Sequence, residues 1–168
     1  MWQRRTFHEC ASELDAISGD FRAAHTNQWG WDEPRRNMVL RDTSIRGVEV
    51  LRILALSIRS DQDYDLTEKT QAPVGAFLKN AGNISLPTFI ENYRPPYSSL
   101  SGFSPIGLRQ ALNKIAHANP AGSGYFADKS AHDLILTGTD QGNTWITVFS
   151  LVDLCKVIKS LPDTATKQ

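Results

Sequence analysis

Apolar residues recur at helical spacing through much of the chain. Phe7, Cys10, Ala11, Leu14, Ile17 and Phe21 share one side of a 3.6-residue turn, with Glu9, Glu13, Asp15, Asp20 and Arg22 opposite. This predicts an amphipathic helix from about Thr6 to His25, its stripe turned to the core. Residues 26–37 break the pattern, punctuated by Gly30 and Pro34. A second helix is predicted from about Asp42 to Ser60, capped by Asp42, Thr43 or Ser44. Ile45, Val48, Leu51, Leu54, Ala55 and Ile58 form its stripe, widened by Val50, Ile53 and Leu56, so it is expected to be the most buried element. Arg41, Arg46, Arg52 and Arg59 read as solvated heads on buried stems.

The alternating acids from Asp61 to Glu68 suggest a calcium loop. The turn glycine would fall on Leu66 and the bidentate acid on Ala72, so an acidic connector is the better reading. Pro73 early and Gly82 late suggest a short helix over 71–80, and residues 87–93 another short turn. The stretch 94–103 reads as a loop. Ser104 and Pro105 suit a helix start, and the pattern from Ile106 to Ala118 continues it until Asn119-Pro120-Ala121-Gly122. The period then changes. Residues 133–137 and 144–149 are rich in β-branched and aromatic side chains and predict a hairpin. Ser150 opens a last helix whose apolar face is Leu151, Leu154, Cys155 and Ile158, closed by Pro162. The expected fold is mainly α: an irregular four- to five-helix bundle, all-alpha in its body, with a C-terminal β-hairpin followed by a final helix. Residues 1–162 read as a single globular domain and 163–168 as a frayed tail.

Composition narrows the function classes. A chain of 168 residues with 40% hydrophobic and 21% charged content can bury one core. Lys plus Arg and Asp plus Glu are both 18, so no overall basic excess points to nucleic acid, and little charge keeps copies apart. Cys10 and Cys155 read as small buried hydrophobes, and without CxxC or a Cys/His cluster we expect no metal and no cofactor. The first residues lack a signal-peptide core, and the longest apolar patch, Ile53 to Leu56, is far too short for a membrane span. A cytoplasmic protein is expected.

Arg109, Asn113 and His117 follow at four-residue steps, making a slowly winding polar ridge with Lys114 beside it. Arginine can grip a phosphate, histidine can move a proton near neutral pH, and asparagine can orient either. The bland account is the polar side of an amphipathic helix. Trp29 and Trp31, two residues apart in a loop, offer either a binding surface or a lid on the core.

The run Leu108-Arg109-Gln110-Ala111-Leu112-Asn113-Lys114-Ile115-Ala116-His117-Ala118 resembles the signature helix of HEPN-type proteins. These are small α-helical domains of toxin–antitoxin, phage-defence and RNA-processing systems. The active members set an Arg before a polar residue, then a His four residues on, and work as dimers. Asn113 and His117 match that pattern, whereas Leu112 stands where the arginine belongs. The resemblance implies a non-catalytic, homodimeric binding or regulatory protein with an RNA or protein partner. The alternatives are a metal-independent ribonuclease using His117 with Arg109 and Asn113, and an unrelated helical interaction module.

Overall fold

The structure, a computed structural model, describes residues 5–64 and 70–162. Two long helices come first. α1 (Phe7–His25) starts on a complete capping box between Thr6 and Glu9 and buries the predicted stripe. α2 (Glu33–Asp63) starts nine residues before its predicted beginning, Asp42. Asp32 is the N-cap, accepting from the Arg35 amide, and Pro34 sits in the first turn; the proline marks a helix start, not a break. Thr43 and Ser44 are mid-helix, their hydroxyls donating to carbonyls one turn back. Asp61 and Gln62, assigned to a connector, are buried helical residues, and 65–69 lie outside the described residues.

The remainder overturns the mainly α, all-alpha expectation. β1 (Pro73–Leu78), β2 (Ser104–Gly107), β3 (Gly124–Ala127), β4 (His132–Asp140) and β5 (Asn143–Ser150) form one antiparallel sheet in the order β2-β1-β5-β4-β3. With α3 (Leu86–Asn92), α4 (Leu108–His117) and α5 (Leu151–Ser160), the fold is α+β. The hairpin is β4–β5, with Ile135 opposite Val148 and Leu136 opposite Thr147. The predicted short helix over 71–80 is strand β1. Its ladder to β5 passes so close at Gly75 that a Cβ there would lie 2.4 Å from the Val148 carbonyl oxygen. The predicted helix start at Ser104 is edge strand β2. Pro105 sits where the missing N–H costs nothing, and α4 begins only at Leu108.

The sheet carries a core on each face. α1, α2, α4 and α5 cover one, burying Leu14, Leu54, Ile58, Leu112, Leu154 and Phe149 against Val74, Ile106 and Leu136. Residues 79–103, with α3, cover the other. There Ile135, Ile146 and Val148 meet Ala81 and Tyr93, with Phe89, Leu100 and Phe103 around them. Tyr93 donates to Asp133 Oδ2 at 2.6 Å and Tyr97 to Asp153 Oδ2 at 2.9 Å, tying that segment to the start of β4 and to α5. Burial, then the carboxylate hydrogen bond, raises both phenol pKa values.

Candidate functional site

α4 does not gather its polar residues into one site. Arg109 turns to the end of α2, with Nη2 at 2.9 Å from Asp63 Oδ1 and Nη1 donating to the Arg59 carbonyl at 3.0 Å. The guanidinium thereby fastens α4 to the last turns of α2. Asn113 is half-buried, its Oδ1 without a partner. His117 is exposed, two turns beyond Arg109, or about 12 Å along the axis at ~1.5 Å per residue. Lys114 leans the other way, its Nζ 4.3 Å from the Phe77 ring and 4.5 Å from Trp145, and burial lowers its pKa. Leu112 is 0% exposed, so the position that an active HEPN-type motif gives to arginine is closed core here.

Trp29 and Trp31 do not lid the core. Their rings pack on each other at 5.0 Å, Arg35 lies 4.9 Å over Trp31, and Trp29 remains exposed.

A concave feature lies elsewhere, between α1, α2 and the β3–β4 end of the sheet. It is a cavity of about 570 Å³ with a mainly apolar wall that includes Ile17, Phe21, Leu51, Ala55, Leu134 and Phe149. Its inner polar pair is Ser18 and His132, both buried, with Oγ and Nδ1 2.9 Å apart. His132 stacks on Phe21 at 4.7 Å and 11°, and Tyr125 stands edge-on to Phe21 at 5.1 Å. Burial, then the charges of Arg22 and His25, holds the His132 pKa down to about 4, so the ring is neutral at pH 7. Thr43, Ser44 and Ser123 also line the space, but their hydroxyls are bonded to backbone carbonyls. The second His132 nitrogen and the Tyr125 hydroxyl have no hydrogen bond among the described residues. Arg52 stands on the α2 wall without an ion pair among the described residues.

Gly47 also lines the cavity. Mid-helix glycine costs roughly 0.5–1 kcal/mol relative to alanine. A Cβ here would meet only Ile17, at an ordinary 3.6 Å, so helix packing does not demand the glycine. The glycine leaves that stretch of the cavity wall without a side chain. The residue pattern missed this site, although Ser18 inside the α1 stripe and Gly47 inside α2 were the visible anomalies.

Among the described residues no three His, Cys, Asp or Glu are grouped to hold a metal ion, and no helix is long and apolar enough to cross a membrane. Comparison with family models, with curated proteins and with solved structures returned no match.

Proposed function

We propose that the protein is a non-catalytic binding protein with a regulatory role, and that the α1–α2–sheet cavity holds its ligand. The observation that carries this is the apolar cavity with a buried polar pair, its wall bare of a side chain at Gly47, where packing does not require a glycine. The ligand is an uncharged, largely apolar small molecule with one hydrogen-bonding group. A charged group seated against the neutral His132 would lose its hydration without an ion pair there, because the cation that lines the space, Arg52, is an exposed residue of the α2 wall. The non-catalytic reading is supported by Arg109, already engaged by Asp63 and the Arg59 carbonyl, and by the buried Leu112. A HEPN-like role in toxin–antitoxin or phage-defence systems, with an RNA or protein partner, rests on the α4 resemblance. A cytoplasmic setting accords with two free, buried cysteines.

The test is titration with N-phenyl-1-naphthylamine, an uncharged dye that brightens in apolar surroundings. Saturable binding at one dye per chain is expected, with Gly47→Leu abolishing it while circular dichroism stays unchanged. No saturable binding by the folded protein, or equal binding by a folded Gly47→Leu variant, overturns the reading.

A further inference from the structure

α2 is apolar on two sides. Its inner side buries Val50, Leu51, Leu54 and Ile58, as an amphipathic helix should. Its outer side carries Met38, Ile45, Val48, Ile53 and Leu56, which are 45–68% exposed. At about 100° per residue, Met38, Ile45 and Leu56 fall within about 20° of one line, opposite Leu54, and Val48 and Ile53 flank it. These five make up most of the exposed large apolar side chains of the described residues. Such a concentration on one helix marks a surface that another element covers.

Glu49 and Arg52 interrupt this line and identify what covers it. Neither makes an ion pair among the described residues. We propose that a second copy of the chain packs on this face, the two α2 helices antiparallel about a two-fold axis between residues 50 and 51. That axis sets Glu49 opposite the partner's Arg52, and Arg52 opposite the partner's Glu49. The same axis sets Ile45 opposite the partner's Leu56, and Leu56 opposite the partner's Ile45. One self-complementary patch thus makes every contact twice, as an isologous interface requires. A parallel pair would bring Glu49 against Glu49 and Arg52 against Arg52, which like-charge repulsion disfavours. About that axis residues 38–63 of the two helices overlap, a seam of about 39 Å at ~1.5 Å per residue. The balanced net charge puts no long-range repulsion between copies.

The interface deepens the binding reading, and rests on it for one consequence only. Val48, Arg52 and Leu56 line the cavity as well as the outer face, so the second copy forms part of the cavity's roof. Ligand occupancy and dimerisation are then linked, each strengthening the other by the same factor.

Sedimentation velocity over a concentration series tests the inference. The native chain is expected to dimerise and Leu56→Asp to be monomeric. Glu49→Arg and Arg52→Glu singly should each weaken the dimer at least about tenfold, since each reversal sets two like-charge contacts across the axis. The double reversal should restore it. All three positions are exposed, so folding checked by circular dichroism should be unaffected. A monomeric native chain, a dimer that survives Leu56→Asp, or a double reversal that stays weak each overturns the inference. A monomer that still takes up the naphthylamine dye sinks this interface and leaves the binding reading standing. A dimer that takes up no dye does the reverse.

Discussion

The two faces of the sheet are held by different chemistry. The helical face is closed by apolar side chains from four helices, and a deep polar pair on it, Ser18 and His132, lines a cavity. The opposite face is covered by one irregular segment with a smaller apolar cluster, fastened by Tyr93 on Asp133 and Tyr97 on Asp153. Apolar burial is non-directional, so the helical side can be shaped around a space for a ligand. Phenol–carboxylate bonds are directional and costly to half-break, so the other side is fixed in position.

The largest test of this contrast is Leu54→Ala on the helical face. The side chain is 0% exposed in the core, and its removal should cost about 3–5 kcal/mol by urea unfolding. A loss below ~1 kcal/mol would mean that this face is not the stabilising one. Acid comes next and should act on the two faces with opposite sign. His132 titrates at about 4 when folded against ~6.5 unfolded, so the unfolded chain binds more protons between those values. Its contribution is complete above pH 6.5 and is lost as pH falls toward 4, up to roughly 3 kcal/mol at ~1.4 per pKa unit. Asp133 is raised by burial, so its folded form takes up protons first and acid favours it. Urea midpoints should therefore fall from pH 6.5 to 4, and less steeply in His132→Gln; an equal fall in the variant assigns the acid sensitivity elsewhere. The smallest expected effect is Tyr93→Phe, about 2 kcal/mol, because the Asp133 carboxylate stays buried without its donor. Double-mutant cycles with Asp133→Asn would show the coupling, and its absence would leave apolar contacts as the only fastening of that face.

The helices were legible where one residue's burial could be read from its near neighbours. α1 and α5 show a single stripe at period 3.6, with caps at Thr6 and Ser150, and the β4–β5 hairpin announces itself in Ile135, Ile146 and Val148. The boundaries of α2 were misread because Pro34 suits a helix start as well as a turn, and because Asp61 and Gln62 are buried against propensity. β1 and β2 were misread as helical since six and four residues carry too little period to outweigh their prolines. Their strand state comes from partners far along the chain, Phe77 opposite Thr147 and Ile106 opposite Gly75. Of the candidate residues, Arg109, Asn113, Lys114 and His117 were visible as a stripe, yet the fold sends them to different surroundings.

By itself, then, the sequence determined the local elements whose period and capping are written in adjacent residues: α1, α5, the hairpin and the helix running through Leu108 to His117. Only the tertiary structure decided that β1 and β2 extend the hairpin into a five-stranded sheet, and that α2 leaves one apolar side uncovered. It alone brought Ser18, Gly47 and His132 to one cavity. The physical reason is sequence distance. Strand pairing and cavity walls join residues dozens of positions apart, and their energy depends on which surfaces meet, a property that no short window of the chain contains.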